Sequence, residues 1–343
     1  MTEENSTISH LSVAMTTNGS DETQAPRESS MTSSFSHGDG LYMYWKCALL
    51  LVGAVGVAGN ALILYALVAS KQQKKHALIV NQNVLDLFSS FFLLVTVTVA
   101  LCNIHLTGLL GYWLCVVLLG ECLVWCATNG SMTNLAIITI DRYLKVVHPI
   151  WSRKWLRPWV VHSAMAFSWF AGIFPNALTA FYTATVIDGK CYSYVYENDA
   201  TNMAALLLYL LLYYVIILVI FIFCYWRILA KIRHQASVMA SHSSSGPSTA
   251  QTQSHQIQTN VIKTMVQVSA FYAIAWLPYN TFNLFASTGI VPITFADTGY
   301  VLTSFLAFFY TGANPFIYAT KFHPVREILR KMIPCKTSVQ PAG

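Results

Sequence analysis

Seven apolar runs, each about as long as a bilayer is thick, constrain this chain more than any other feature. They centre near Val55, Phe91, Ala127, Ala166, Tyr213, Ala270 and Leu306. A helix needs about 20 apolar residues to span the hydrocarbon core, whereas buried helices of soluble domains offer about 14 at most. Composition leaves no soluble alternative: 55% of the 343 residues are hydrophobic and 10% are charged, against about 25% charged in soluble domains. With lipid outside, each segment must satisfy its own backbone polar groups, so the spans are helices. The runs predict helices at 43–69, 78–102, 112–147, 157–181, 203–232, 257–286 and 297–319. The expected fold is an all-α membrane protein, a seven-helix bundle over 43–320. It lies between an extracellular tail, 1–42, and a membrane-surface helix with a cytoplasmic tail, 321–343.

The net charge of +6 would suit a nucleic-acid binder, but the charge is sorted by loop. Lys71, Lys74, Lys75, Arg153, Lys154, Arg157, Arg227, Lys231, Arg233 and the basic residues from Lys321 to Lys336 fall on one side of the spans. The other side has Arg27, Lys46 and Lys190, with most of the acids, among them Asp188, Glu197, Asp199 and Asp297. Basic loops face the cytoplasm. The N-terminus is therefore expected outside and the C-terminus inside, and nucleic acid is excluded as a partner. The Ser/Thr-rich tail reads as disordered and carries sequons at Asn5 and Asn18, the expected glycosylation sites. After the seventh span, Phe322, Val325, Ile328, Leu329 and Met332 recur at helical spacing among basic residues. That pattern predicts an amphipathic eighth helix on the inner leaflet, followed by Cys335 as a palmitoylation site.

The second outer connection predicts a β-hairpin, because β-prone runs at 183–187 and 190–196 flank Asp188-Gly189. Cys191 follows the turn. Cys115 also lies on the outer side, where a disulfide persists, and Cys102 and Cys122 compete with it as partners.

Polar groups inside spans are costly and mark function by default. They include Asp86, Glu121, Asp141-Arg142-Tyr143, Asn60, Ser131, Asn134 and Asn314. One on nearly every span predicts a connected network rather than separate packing bonds. No internal repeat of the transporter kind is evident. The histidines and cysteines lack metal spacing, so no enzyme is expected.

Certain residues occur in order on successive spans: Gly59-Asn60; Asn81 with Leu85-Asp86; Ser131, Leu135 and Asp141-Arg142-Tyr143; Trp169; Tyr225; Trp276-Leu277-Pro278; and Asn314-Pro315-Phe316-Ile317-Tyr318. In these the chain resembles the rhodopsin-like (class A) G-protein-coupled receptors, from about residue 44 to 335. The resemblance implies that Arg142 pairs with Asp141 at rest and faces a G protein once released. It implies that Trp276 forms the base of a ligand pocket, that Pro278 kinks the sixth helix into a lever, and that Tyr225 and Tyr318 turn inward in the active form. It implies a Cys115–Cys191 bridge. It also implies an allosteric sodium ion held by Asp86, Ser131, Thr311 and Asn314, although Tyr310 stands where that pocket often has an amide.

Several positions depart from the family pattern. Cys115 lies two residues further from Asp141 than the usual bridging cysteine, so the top of the third helix must run differently. Ile217 replaces the usual proline of the fifth helix, and Val124 the aspartate of amine receptors. Phe308 replaces the retinal-binding lysine of opsins. Gln258 and Lys263 leave the inner end of the sixth span without an acid to hold Arg142.

The implied ligand pocket is aromatic and mostly neutral: Glu121, Val124, Trp125, Thr128, Tyr209, Tyr213, Trp276, Tyr279, Asn280, Asn283 and Tyr300. Acids around its mouth favour a cationic ligand, hence a basic or amidated neuropeptide. The alternatives are a lipid or other non-amine small molecule, or an orphan receptor with basal activity. Expected partners are the extracellular ligand, a heterotrimeric G protein, arrestin, receptor kinases and membrane lipid, at the plasma membrane.

Overall fold

In this computed structural model the described residues are 35–71, 73–241, 249–288, 293–321 and 325–328. Asn5, Asn18, Cys335 and most of the expected eighth helix lie outside them; 325–328 are helical. Seven long helices follow the predicted spans. They are α1 (Phe35–Ala69), α2 (Ala77–Leu101), α3 (within Gly108–Val147), α4 (Pro158–Thr183), α5 (from Asp199 to Ser241), α6 (Thr249–Ser287) and α7 (Ile293–Lys321). Among the described residues, five of them, α1 to α5, are long and apolar enough to cross a membrane on length and composition alone. Packing sets the other two in the same bundle: α7 lies against α1 and α6, and α6 also meets α3 and α5.

Local sequence explains the helix starts. Pro158 opens α4 and Pro149 opens the short helix Pro149–Trp155, positions where a missing N–H costs nothing. Asn198 caps α5, its side chain accepting from the Thr201 amide at 2.9 Å.

Burial is distributed as lipid demands. Large apolar side chains such as Tyr65, Phe91, Phe170 and Ile222 stay exposed on the outer faces, while Asn60, Asn81, Gln82, Asp86, Asn134 and Asn314 are buried inside. Glycine permits the closest helix approach. A Cβ on Gly172 of α4 would stand 2.2 Å from the Cys126 carbonyl and 2.9 Å from the Gly130 Cα of α3. Small residues at such crossings let backbones touch, which is how helices associate in lipid.

The third span is not one continuous helix. An α-helical turn from Gly108 to Leu114 passes into a π-helical turn, Cys115–Leu119, and the chain then breaks at Gly120. Glu121 adopts the left-handed region at φ 58°, and the helix resumes at Cys122. The break is bonded rather than loose: the Leu118 carbonyl accepts from the Glu121 amide at 2.8 Å and from Thr96 of α2 at 3.2 Å. This wide turn absorbs the two extra residues noted in the sequence. Cys115 thereby reaches Cys191, with a Cα–Cα distance of 5.3 Å, inside the range a disulfide requires. Cys102 and Cys122 stay free. α5 has a second π turn at Leu211–Val215, just before Ile217.

The hairpin forms where the sequence placed it, with shorter strands. β1 (Thr185–Ile187) pairs antiparallel with β2 (Lys190–Tyr192). Asp188 and Gly189 both have positive φ, 49° and 73°, as a two-residue hairpin turn requires. The Leu106 amide donates to the Gly189 carbonyl at 2.9 Å, so the turn is tied to the α2–α3 connection as well as to Cys115.

Closing a loop of 76 residues, the disulfide should contribute ~4 kcal/mol by chain entropy. Cys191→Ser is expected to lower the thermal unfolding midpoint of the detergent-solubilised protein, while Cys102→Ser leaves it unchanged. Equal midpoints for both variants would refute the anchoring role.

Candidate functional site

A chain of side-chain hydrogen bonds crosses the bundle and ends on Asp86, which has no exposed surface. Trp169 of α4 donates to the Asn81 carbonyl oxygen at 3.0 Å. The Asn81 amide donates to Asn134 of α3 at 2.9 Å and to Ser168 of α4 at 3.1 Å. Asn134 donates to Gln82 of α2 at 2.8 Å. Gln82 donates to the Ser131 hydroxyl oxygen, and Ser131 in turn donates to Asp86. From α7, Asn314 donates to the other carboxylate oxygen at 3.1 Å. Along the path from Trp169 through Asn81, Asn134, Gln82 and Ser131 the donors run toward the carboxylate, so each bond polarises the next. The connected network expected from the sequence therefore exists, and it ties together α2, α3, α4 and α7.

The implied sodium ligands can be tested against this geometry. A cation needs oxygen lone pairs. Here the Asp86 oxygens already accept from Ser131, Asn314 and, at 3.4 Å, Gln82. The Thr311 hydroxyl donates to the Phe308 carbonyl of its own helix at 2.8 Å. Tyr310 is fully buried and close enough to feel the Asp86 charge. In this arrangement the Asp86 oxygens are met by one O–H and by amide N–H groups, while the Asn314 carboxamide oxygen is buried without a hydrogen-bond partner.

Toward the hairpin end, Trp125 is the hub of an aromatic cluster. Its ring lies 5.9 Å from Tyr279, 6.0 Å from Trp276, 5.8 Å from Phe308 and 6.2 Å from Tyr209. Tyr279 in turn meets Tyr300 at 6.4 Å. Trp125 also holds Glu121 twice. Its indole N–H donates to the carboxylate at 3.1 Å and its amide to the Glu121 carbonyl at 3.0 Å. The break in α3 therefore aims an acid at the mouth of the cluster, electrostatically close to Tyr42, Tyr194, Tyr279 and Tyr300. The Trp276 indole N–H is buried without a partner at its base.

Val124 and Asn280 are buried beside this cluster, and Asn283 bonds back to the Tyr279 carbonyl at 2.8 Å. Three residues of the implied pocket have their hydroxyls committed to neighbouring helices: Thr128 bonds Ser89 at 2.7 Å, Tyr213 donates to the Ala171 carbonyl at 2.5 Å, and Tyr209 donates to the Asn129 carboxamide oxygen at 3.5 Å.

At the opposite end, the Arg142 Nε lies 3.5 Å from Asp141. Lys145, one helical turn on, is nearer, at 2.8 and 2.9 Å from the two Asp141 oxygens. Among the described residues Asp141 is the one carboxylate within ion-pair range of Arg142. Tyr225 bridges three helices from α5, its hydroxyl 3.0 Å from Thr139 of α3 and 2.9 Å from Ser269 of α6. Tyr318 is fully buried, and Tyr143 shares a hydrogen bond with His148 at 3.1 Å. Pro278 and Pro315 lie inside α6 and α7.

Gln82 and Lys145 escaped the sequence analysis, although each left a signal. Gln82 belongs to an amide run, Asn81-Gln82-Asn83, within an apolar span, and Lys145 stands four residues after Asp141, the spacing of a helical ion pair.

Comparison with known proteins agrees with this architecture. The profile of a family described as 7 transmembrane receptor (rhodopsin family) matches residues 59–318. Galanin receptor type 1 of Rattus norvegicus is 25% identical, aligning over 83% of this chain and 81% of its own length. Somatostatin receptor type 5 of Bos taurus is 27% identical, over 83% and 74%. Melanopsin of Podarcis siculus is 24% identical, over 86% and 62%. The crystal structure of squid rhodopsin superposes with a TM-score of 0.71 at 19% identity, covering 86% of each chain.

Asn81 sits at the crossing of α2, α3 and α4, with all its polar atoms engaged. Asn81→Leu should leave Trp169, Ser168 and Asn134 short of partners and cost about 1–3 kcal/mol, read as a lower melting midpoint in detergent. A midpoint equal to that of the unsubstituted protein would show that the network does not hold the bundle together.

Proposed function

The chain belongs to the rhodopsin family of seven-transmembrane receptors, and on that premise we propose that it detects an extracellular basic or amidated peptide and signals through a heterotrimeric G protein. Membership makes it a multi-pass plasma-membrane receptor and not an enzyme. The observation that carries the ligand class is Glu121, an acid held by Trp125 at the mouth of the aromatic cluster. The anchored hairpin lies above it, and the exposed acids Asp188, Glu197 and Asp199 surround the same end. A negative entrance leading to aromatic rings suits a cationic, aromatic-bearing ligand. The two relatives named for galanin and somatostatin point the same way.

The hairpin end faces outward in this reading and the basic loops face the cytoplasm. Ligand stacked on Trp125 and Trp276 favours the arrangement in which α6 swings about Pro278. Its effect is limited to its differential affinity for the two states. The swing separates Ser269 from Tyr225 and opens the end where Arg142 awaits the G protein. Arrestin and receptor kinases then follow as further partners of the same face. With no α6 acid restraining Arg142, the receptor signals detectably without ligand.

A G-protein activation assay on expressing cells, challenged with basic peptides beside amines and lipids, tests this reading. A peptide response is expected, lost in Arg142→Ala and shifted about tenfold to higher concentration in Glu121→Gln. A response confined to lipids would overturn the peptide assignment. Silence without ligand, at verified surface expression, would overturn the basal activity.

We further propose that Asp86 is served by protein donors instead of sodium. Agonist affinity is then expected to be the same in sodium and in N-methylglucamine buffers, and Gln82→Leu should introduce a sodium dependence. A sodium effect on the unsubstituted receptor would refute this.

A further inference from the structure

Where α3 resumes after its break, two thiols stand one helical turn apart. Cys122 and Cys126 belong to neither the polar network nor the aromatic cluster, and their sulfurs are 3.9 Å apart. This is the one contact between free thiols among the described residues. Both side chains face α4. The Cys122 sulfur lies 3.9 Å from the Asn176 carbonyl oxygen, and the Cys126 sulfur 3.8 Å from that of Ile173. The surroundings are otherwise apolar, with Leu106, Val116, Ala180 and Ala184 in the same packed cluster. Each cysteine keeps 8% of its surface exposed, so the pair is nearly dry but not sealed.

Helical geometry decides what such a pair can do. Residues four apart on a helix hold their Cβ atoms about 5–6 Å apart, whereas a disulfide needs about 3.5–4.5 Å. The two sulfurs cannot bond to each other while the helix lasts, but a single atom fits between them. Two metal–sulfur bonds of ~2.3 Å set end to end span ~4.6 Å, a small side-chain rotation away from the observed 3.9 Å. A structural zinc ion takes four ligands, and among the described residues no cluster of three or more histidines, cysteines or acids exists. Calcium and magnesium take oxygen ligands. Two thiolates alone suit a soft monovalent ion, Cu(I).

The break in α3 also supplies the electrostatics. A singly charged cation between two thiolates leaves one net negative charge. Cys122 is the first residue of the resumed helix, and Glu121, at the N-cap, makes no side-chain cap bond. The amides of Cys122, Leu123 and Val124 lie in a first turn that has no helical carbonyls to bond. The partial positive charge of that helix end falls on the thiol pair. The Glu121 carboxylate is held by Trp125, about 100° round the helix from Cys126.

We propose that Cys122 and Cys126 form a two-coordinate site for monovalent copper at the hairpin end of α3. The ion arrives as Cu(I). Each thiol gives up its proton to solvent, two copper–sulfur bonds form, and no electron changes hands. Bound copper staples the first turn after the break, the turn in which Trp125 fixes Glu121. The site is independent of any peptide ligand.

The test titrates full-length receptor in detergent, without oxygen, with Cu(I) held by the chromophoric chelator bicinchoninate. Copper withdrawn by the receptor is read from the loss of chelator absorbance. The unsubstituted receptor should withdraw one equivalent more than Cys122→Ser or Cys126→Ser. Changes to groups that merely orient a metal ligand cost about 10–100-fold in affinity, so loss of a ligand should cost more than ~100-fold. Cys102→Ser, which removes an exposed thiol, should bind copper as the unsubstituted receptor does. Copper should raise the melting midpoint of the unsubstituted receptor and leave that of the two variants unchanged. Cys122→Ala and Cys126→Ala keep the pair's surroundings apolar and serve where a serine variant is poorly folded. X-ray absorption at the copper edge should show sulfur neighbours only. Uptake unchanged in the serine and alanine variants, or lost in Cys102→Ser, would overturn the site. Nitrogen or oxygen neighbours, or zinc displacing copper at equal concentration, would overturn the two-coordinate assignment.

Discussion

A carboxylate with no exposed surface, in the middle of a bilayer-spanning bundle, sets terms for everything around it. Asp86 is 0% exposed, and an unpaired charge there would cost several kcal/mol. No lysine or arginine approaches it within ion-pair distance among the described residues. Its charge is instead met by oriented dipoles that converge through Ser131, Gln82 and Asn314. Those donors belong to three helices, so the arrangement survives only while α2, α3 and α7 keep their relative positions. A rigid-body change in the bundle must reorganise this cluster, which makes Asp86 a natural place for two states to differ in energy.

A second constraint acts at the hairpin end and has a different physical origin. The two residues by which Cys115 departs from the usual spacing are accommodated by a π turn and a left-handed Glu121. A non-glycine residue at positive φ stores strain, and such positions persist where the surroundings over-determine them. Trp125 and the Leu118 carbonyl do so here, fixing Glu121 through its side chain, carbonyl and amide. The same distortion that lets the disulfide form also aims an acid into the mouth. Anchoring of the hairpin and placement of the Glu121 carboxylate are one structural event in this chain.

What could be read from the sequence was whatever follows a period or a strong local rule. The span lengths gave the helices to within a few residues at most ends, and Asp188-Gly189 gave the hairpin turn. The interior polar residues gave the network because lipid tolerates them poorly anywhere else. The break at Glu121 was visible only as a spacing discrepancy, since a π turn has no composition of its own and hydropathy runs smoothly across it. Side-chain direction was also hidden. Thr128 and Tyr213 lie on spans lining the expected pocket, yet their hydroxyls are committed to Ser89 and the Ala171 carbonyl. Which neighbour a hydroxyl faces depends on helix rotation, and the two π turns change that rotation in ways no regular period predicts.

The basic end shows how these constraints meet function. Asp141 is shared between Arg142 and Lys145, and the lysine has the shorter contacts. An exposed ion pair of this kind contributes ~0–1 kcal/mol, and only a buried, well-bonded one contributes more. Lys145 reaches solvent while Asp141 is buried, so the pair lies between those limits. Every share of the carboxylate that Lys145 takes is unavailable to hold Arg142, and no α6 acid compensates. At this end the helices are held together less by an ionic contact to Arg142 than by Tyr225, which joins α3, α5 and α6 through neutral hydroxyl bonds. Neutral bonds of that kind are insensitive to salt, and in lipid each is worth about 0.6 kcal/mol on average. A restraint that weak is within reach of the differential binding of a single ligand.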